Sequence, residues 1–228
     1  MMDRRSDHPY RDFLHRLSKP ARYTGGEFLS VVKPWDASEL HYALAFPDVY
    51  DIGMSHLGTK ILYSIVNKLD GVVGERVFAP WPDLEAELRA NNLPLISLES
   101  FRPLSDFEVV GFSLQYEMTY TNVLNMLDLG GIPMRNADRA EDDPIVIAGG
   151  PTATHPEPMA PFIDAFVIGD GEETLPKLID IVRKGRKSGV SRHEILLRLA
   201  ENGGIYCPDL YLTDIVDDGG FEVVTAPV

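Results

Sequence analysis

The sequence predicts a doubly wound α/β fold, in which helices cover both faces of an open, mostly parallel sheet. Short apolar runs alternate along the chain with segments whose apolar residues recur at helical spacing. The run FEVVGFSL (107–114) is almost continuously apolar, which is typical of a strand covered on both faces. Glycines follow several of these runs, where such folds turn from strand to helix and bind ligands.

The elements before residue 115 follow from this alternation. The pattern predicts a helix over 8–19, an edge strand at EFLSVV (27–32), and strands at 42–46, 75–79, 93–98 and 107–114. A helical stripe follows the strand at 42–46, and Pro82 is placed to open the next helix. The stripe consists of Leu57, Ile61, Leu62, Ile65, Val66 and Leu69.

The second half repeats the same alternation. A helix carrying Tyr120 and Val123 ends at Gly130-Gly131, and strands are predicted within PIVIAGG (144–150) and AFVIGDGEET (165–174). Helices follow Gly171 and Ser191, and Ser191 with Glu194 forms a capping-box pattern. The tail alternates like a hairpin that closes near Asp218-Gly219. We expect an N-terminal arm (1–35), an α/β domain of around five strands (36–204) and a hairpin or linker (205–228).

Composition limits the function classes. The 228 residues are 44% hydrophobic, enough for one core, and no run of 18 apolar residues predicts a membrane span. The single cysteine, Cys207, rules out a disulfide framework or a multi-cysteine metal site within this chain, and it fits the reducing cytoplasm. A net charge of −14 disfavours nucleic acid. The basic residues before Pro34 leave open an RNA contact, a solvated extension, or packing against a neighbouring domain.

Candidate site residues lie where the predicted strands end. Gly53, Ser55 and Gly58 allow a ligand close to the backbone, or simply shape a turn that Ser55 caps. His56 is either a ligand or hydrogen-bond donor, or a structural residue. Ser113 could present its hydroxyl to a ligand or bond to the backbone. The remaining candidates, at later strand ends, are Gly149, Gly150, Gly169 and Gly171.

Other patterns point away from catalysis by this chain. Glu172 and Glu173 stand at the start of a predicted helix, where acidic side chains interact favourably with the helix dipole. His155 lies in a proline-rich loop that we expect at the rim of the crevice. Cys207 is interpreted as structural. The sequence has neither a GxxxxGK[ST] nor a GxGxxG motif after a strand, and no Ser-His-Asp or Cys-His set stands out. We therefore expect no catalytic residues and no metal ligands here.

Three stretches carry a family resemblance: FPDVYDIGMSHLGTKILYSIVN, VVGFSLQYEMTYTNVLNMLDLGGIP and IVIAGGPTATHPEPMAPFIDAFVIGDGEETL. Together they resemble the N-terminal cobalamin-binding-like domain of B12-type radical SAM proteins, in which this domain precedes a radical SAM barrel. The resemblance covers most of residues 25–228. It implies a flavodoxin-like (Rossmann-like) three-layer fold with a corrinoid at the carboxyl edge of the sheet.

The resemblance also shows departures from the family pattern. Cobalamin domains carry Asp-x-His-x-x-Gly after the first strand, and the histidine binds cobalt. With Gly58 as the glycine, Ser55 stands at the histidine position and Gly53 at the aspartate position, so His56 is one residue out of register. Ser113 matches a Ser-x-Leu element whose leucine is replaced, and Gly149-Gly150 match a double glycine that accommodates the nucleotide tail. The implied corrinoid is therefore held without histidine ligation.

The resemblance implies that this chain is an accessory part of a longer enzyme. The barrel's Cys-x3-Cys-x2-Cys motif needs three cysteines and cannot be present here, so the [4Fe–4S] cluster and S-adenosylmethionine belong to a missing part of the parent protein. The radical SAM barrel of the same parent chain is the expected partner. Two alternatives stay open: a degenerate fold that docks the barrel or a macromolecular substrate, and a flavodoxin-type nucleotide or flavin binder.

Overall fold

A computed structural model describes residues 8–215 and 222–227 and contains one six-stranded sheet in the order β2-β1-β3-β4-β5-β6. The strands are β1 (Leu40–Phe46), β2 (Val72–Phe78), β3 (Val109–Ser113), β4 (Ile145–Gly149), β5 (Ala165–Val167) and β6 (Ile205–Tyr206). The first five are parallel and only β6 is antiparallel. The parallel order 2-1-3-4-5 is that of flavodoxin-like folds, so the predicted fold class is confirmed.

Helices cover both faces of this sheet. They are α1 (Tyr50–Gly53), α2 (Leu57–Lys68), α3 (Pro82–Asn91), α4 (Tyr120–Leu129), α5 (Gly171–Ser188) and α6 (Arg192–Ala200). Helices α3 and α4 pack on one face, through Leu84, Leu88 and Val123 among others. Helices α2, α5 and α6 pack on the other, through Val66, Leu178 and other apolar residues. The sheet is thus the middle of three layers.

The local signals that predicted these elements have structural counterparts. Every residue of β1 is buried, as expected for a central strand with an apolar run, and every residue of the edge strand β2 is buried as well. Pro82 is the first residue of α3, where its missing N–H costs nothing. The Ser191 side chain accepts a hydrogen bond from the Glu194 N–H at 3.2 Å and caps α6, whereas the Glu194 carboxylate pairs with Arg198.

The strand predicted at 27–32 does not form. Phe28 and Leu29 are 94% and 78% exposed, and Leu29 has a positive φ of 67°, which breaks an extended conformation. The Val31 N–H donates to the Tyr63 hydroxyl at 2.7 Å rather than to a neighbouring strand. Apolar composition alone predicted this strand, but a strand also needs a partner edge.

The strand predicted at 93–98 is also wrong. Its only ladder contact in the described structure is one isolated bridge between Ile96 and Pro103. The backbone N–H groups of Leu95 and Leu98 donate to carbonyls of Leu129 and Arg76, which lie in different elements. Residues 95–98 of the segment are buried, and the segment connects elements without forming a strand of the sheet.

The helix predicted over 8–19 is replaced by turns and a single 3-10 turn at Leu14–Arg16. Its apolar side chains nevertheless face inward: Tyr10, Phe13 and Leu17 are at most 5% exposed and belong to the main core cluster. The segment is therefore packed against the domain although it is not an α-helix. The Tyr10 N–H bonds to the His8 side chain at 3.0 Å, as at the start of a helix, but only one 3-10 turn follows, and Pro20 limits any extension at the other end.

The tail forms a separate two-stranded antiparallel ribbon of β7 (Tyr211–Ile215) and β8 (Glu222–Pro227). The turn predicted near Asp218-Gly219 lies outside the described residues. Among residues 8–215 and 222–227, no helix is long and apolar enough to cross a membrane.

Candidate functional site

A cavity of about 260 Å³ opens at the carboxyl ends of the strands, between the sheet and helices α2 and α5. Strands β1, β3, β4 and β5 all contribute to its lining. Strand β1 lies between β2 and β3, so the chain reverses direction across the sheet at this point. Ligands of doubly wound folds bind at such a reversal, because the loops on either side diverge and leave a crevice.

The cavity walls are apolar and its edges are rich in small residues. Its wall side chains are Leu44, Leu62, Ile147, Val167 and Leu175. Gly149, at the end of β4, leaves room beside the sheet where a larger side chain would stand. An apolar interior with a few polar groups is the usual character of a small-molecule pocket.

Seven of the nine predicted site residues line this cavity: His56, Gly58, Ser113, Gly149, Gly150, Gly169 and Gly171. They come from loops after β1, β3, β4 and β5 that are distant in sequence. The parallel arrangement of these strands brings their carboxyl ends to one edge. This is why glycines found only by their position after apolar runs meet around one volume.

Gly53 and Ser55 do not line the cavity. Gly53 is buried at the end of α1, and a Cβ there would collide with the ring of Phe78. Ser55 is exposed, and its hydroxyl donates to the Asp51 carbonyl at 2.9 Å. Both residues shape the turn after β1, and the predicted N-cap role of Ser55 is wrong.

His56 caps helix α2 instead. Its Nδ1 accepts a hydrogen bond from the Thr59 N–H at 3.2 Å and lies 3.1 Å from the Thr59 hydroxyl. Gly58 makes room for the capping ring, because a Cβ there would lie 2.8 Å from His56 Cε1. The sequence analysis assigned the cap to Ser55 because serine is the commoner capping residue. A histidine that lines the cavity therefore already has a structural role through one ring nitrogen.

Gly150 and Gly169 have conformations that favour glycine, with φ of 108° and 107°. A Cβ on Gly150 would also lie 2.6 Å from the Leu114 carbonyl oxygen, so this glycine lets two loops approach closely. A Cβ on Gly149 would meet only Val167, at 3.7 Å, which is ordinary contact. The two adjacent glycines thus differ: Gly150 is required by the fold, whereas Gly149 borders open cavity.

Tyr42 is a lining residue that the sequence analysis did not single out. Its side chain is 4% exposed and reaches over Gly111, where a Cβ would collide with the tyrosine hydroxyl. No hydrogen-bond partner of this hydroxyl lies within the described part of the chain, and burial raises the pKa of Tyr42. The only sequence signal was a hydroxyl-bearing residue in the otherwise apolar run YALAF.

The polar edge of the cavity carries acidic and neutral groups. Asp170 and Glu172 lie at the N-terminus of α5, and Ser113 and Gln115 follow β3. These four side chains make no hydrogen bond to any described residue. The lining contains neither lysine nor arginine among residues 8–215, which disfavours a site for free phosphate groups.

A second register of the Asp-x-His-x-x-Gly pattern was missed in the sequence. Asp48, Tyr50 and Gly53 fit its spacing, with tyrosine at the position of histidine. Tyr50 packs against Phe78 and does not line the cavity. Burial and the nearby Glu27 carboxylate raise the pKa of Tyr50 to about 12, so its phenol stays protonated at neutral pH. Neither register places a histidine at the ligand position.

Two further residues considered from the sequence lie away from the cavity. His155 is exposed and contacts the hydroxyl of its neighbour Thr154. Cys207 is fully buried against α6, its thiol lies 3.6 Å from the Leu196 carbonyl, and burial raises its pKa to about 12. In the described ranges, no group of three or more His, Cys, Asp or Glu side chains could hold a metal ion.

Comparison with known proteins gives two matches. Residues 58–208, about two thirds of the chain, match the family described as the N-terminal region of radical SAM proteins. The chain is also 23% identical over 141 residues to the uncharacterized protein MJ0966 of Methanocaldococcus jannaschii. That alignment covers 60% of this chain and 26% of the relative, so the chain spans about a quarter of that protein's length. No solved structure matches.

Proposed function

Because the chain belongs to the family of N-terminal regions of radical SAM proteins, we propose that it is an accessory domain that binds a corrinoid without histidine ligation. In this proposal the nucleotide tail of the corrinoid enters the cavity beside β1 and β3. The chain itself supplies binding and orientation and no catalytic group. It works in a reducing cytoplasm beside the radical SAM barrel of its parent protein.

The cavity is the observation that supports the proposal. It lies at the strand-order reversal, has apolar walls that suit a flat ring, and is bordered by Gly149, whose missing side chain leaves space. The carboxylates of Asp170 and Glu172 and the amide of Gln115 can bond to hydroxyl and amide groups. Corrinoids carry such groups on the ribose and around the macrocycle, so these residues fit the ribose of the tail. The single phosphodiester of the tail would lie outside this lining, which has no lysine or arginine among residues 8–215.

The residues that line the cavity are better suited to the nucleotide tail of a corrinoid than to its cobalt. His56 Nδ1 is engaged in the cap of α2, and Tyr50 at the alternative ligand position points away from the cavity. When bound, the corrinoid would supply methyl-transfer or redox chemistry at its metal. The chain's own residues would hold the tail, exclude water from it and fix the orientation of the macrocycle at the carboxyl edge.

The parent reaction is assigned to a different segment of the longer protein. We propose that a [4Fe–4S] cluster and S-adenosylmethionine lie in that segment, because cluster assembly needs several thiolates and this chain has one buried cysteine. The family match supports this division, since the family is described as the N-terminal region of radical SAM proteins.

Corrinoid retention tests the proposal. The full chain is incubated with hydroxocobalamin and desalted, and the visible absorbance that remains with the protein is measured. We expect retention by the unaltered chain and at least tenfold weaker binding by Gly149→Val, because the new side chain would occupy the cavity without requiring a forbidden φ. Gly150→Val is a poorer test, since it strains the backbone whether or not a ligand binds.

Gly203→Val is the matched control. Gly203 lies in an exposed turn, a Cβ there has open space, and the residue does not line the cavity. This variant should bind hydroxocobalamin as the unaltered chain does, and circular dichroism should show that both variants fold. If Gly149→Val and Gly203→Val retain hydroxocobalamin equally, the cavity is not the corrinoid-binding site.

One observation favours a second function, that of a docking module. Ile52, Leu57 and Met118 are 50%, 68% and 84% exposed. They lie in α1, at the start of α2 and in the 3-10 turn after β3, at the same edge as the cavity. Exposed apolar side chains at one edge are typical of a surface that another domain covers. If no corrinoid is retained by the unaltered chain, the docking function becomes the better explanation of the family match.

A further inference from the structure

The inner part of the cavity contains one polar group that no internal contact explains. Tyr42 begins on β1 among apolar residues, and its ring lies across β3 with the hydroxyl over Gly111. The side chain is 4% exposed, yet its hydroxyl bonds to no residue of the described chain. Buried tyrosine hydroxyls almost always have a partner, because an unpaired one costs free energy. The Tyr42 hydroxyl is not among the fully enclosed unpaired atoms of the described chain, so its partner comes from the cavity space, as water or as a ligand.

Other buried tyrosines of this protein follow that rule. The Tyr10 hydroxyl donates to the Pro94 carbonyl at 2.5 Å, and the Tyr63 hydroxyl accepts from the Val31 N–H. Neither of these residues lines the cavity. Tyr42 differs from them in both respects: it has no internal partner, and it lines the cavity. A tyrosine needed only for packing would be equally well served by phenylalanine, which has no hydroxyl to satisfy.

We propose that the Tyr42 hydroxyl is a specificity-determining group that bonds to a polar atom on the inner edge of the ring that enters the cavity. The inference rests on the proposed function, in which that ring is the base of a corrinoid tail. Leu44, Ile147 and Leu175 provide apolar walls for the faces of the ring. The edge that reaches Tyr42 must then carry a nitrogen or oxygen rather than a methyl group.

This requirement selects a class of corrinoid. A purine base such as adenine carries ring nitrogens and an amino group on its outer edge. Dimethylbenzimidazole carries two methyl groups there, which would bury the tyrosine hydroxyl without a partner. A single neutral hydrogen bond is worth about tenfold in affinity, and an unpaired buried group costs a similar factor or more. The cavity should therefore prefer a purine-based corrinoid.

The experiment compares two corrinoids with the full chain. We expect the adenine-based corrinoid to bind about tenfold more tightly than the dimethylbenzimidazole form, as measured by absorbance titration. In Tyr42→Phe this ratio should fall to about one. Equal affinities of the unaltered chain for the two corrinoids, with no change in Tyr42→Phe, would overturn this inference while leaving corrinoid binding intact.

A second measurement does not need the ligand. Because the Tyr42 hydroxyl has no internal partner, Tyr42→Phe should melt at or above the temperature of the unaltered chain. Tyr10→Phe is the control: it loses the bond to Pro94, so it should melt lower and keep the base preference. A loss in Tyr42→Phe as large as that in Tyr10→Phe would show a structural hydroxyl and contradict the inference. Binding of neither corrinoid would overturn both this inference and the proposed function.

Discussion

At the scale of single residues, His56 shows how one side chain can be assigned two incompatible roles. Its Nδ1 caps helix α2, and the same residue lines the cavity. If capping is its function, His56→Ala should lower the free energy of unfolding by about 1 kcal/mol, since a cap contributes that much. Urea unfolding measures the change.

His56→Asn separates the two roles. Asparagine caps helices well, so this variant should be as stable as the unaltered chain while lacking the imidazole. Its retention of hydroxocobalamin should also be unchanged. A stable His56→Asn that no longer retains the corrinoid would make His56 a ligand of the bound group and would exclude capping as its main function.

The residues of the candidate site were only partly predictable from sequence. Glycines such as Gly149 and Gly171 could be found because they follow apolar strands, and parallel strands end at one edge. Tyr42 could not, because its importance depends on Gly111, a residue 69 positions away in the sequence that leaves space for its hydroxyl. Hydrogen-bond satisfaction is a property of the three-dimensional neighbourhood, and a tyrosine in an apolar run carries no sign of it.

At the scale of elements, Asp164 connects several parts of the sheet. One of its carboxylate oxygens accepts from Arg139 at 2.8 Å, from Arg192 at 2.6 Å and from the Val146 N–H at 2.6 Å. These groups belong to the loop before β4, to α6 and to β4 itself. The arginine side chains are at most 9% exposed, so their charges depend on this carboxylate.

Asp164→Asn should therefore destabilise the fold by about 3 kcal/mol or more, because it leaves two buried cations without their anion. Chemical denaturation measures this loss. Asp138→Asn is the control: Asp138 is exposed and makes no side-chain hydrogen bond within the described chain, so its change should stay within about 0.5 kcal/mol. Similar stability of the two variants would show that the arginines find other partners.

Secondary-structure elements could be predicted where a single sequence pattern was unambiguous. Strand β1 and helix α2 follow from a buried apolar run and a helical stripe, and both formed close to the predicted bounds. The segments 27–32 and 93–98 have strand-like composition but form no ladder with a neighbouring strand, although Leu98 makes one bond to Arg76 at the edge of β2. Their N–H groups bond to a side chain and to scattered carbonyls, a competition that local sequence does not reveal.

At the scale of the whole molecule, the N-terminal segment contributes to the core. Tyr10, Phe13 and Leu17 are at most 5% exposed and share a cluster with Leu84 and Leu88 of α3. A chain that starts at residue 25 should lose several kcal/mol of unfolding free energy, since each buried apolar side chain contributes about 1.5–3 kcal/mol. A chain that starts at His8 is the reference, because it keeps Tyr10, Phe13 and Leu17.

Urea denaturation of the two shortened chains measures the difference. Equal midpoints would show that residues 8–24 pack without stabilising the sheet. The sequence analysis divided the chain at residue 35 on composition and proline-glycine signals. The topology was easier to predict than the domain boundary at residue 35, because alternating strands and helices allow few arrangements. Whether an irregular segment is buried depends instead on the shape of the surface that it covers.

The acidic lining of the cavity has a consequence for the rate at which ligands arrive. The molecule carries a net charge of −14, and Asp170 and Glu172 add negative charge at the cavity while no lysine or arginine of the described residues lines it. The resulting field extends about 8 Å into physiological saline. This negative field slows the association of molecules that carry several free phosphates with the cavity, and it favours the association of uncharged or cationic molecules. Among abundant cellular cofactors, the protein thus discriminates against nucleoside polyphosphates during diffusion, before any contact is made.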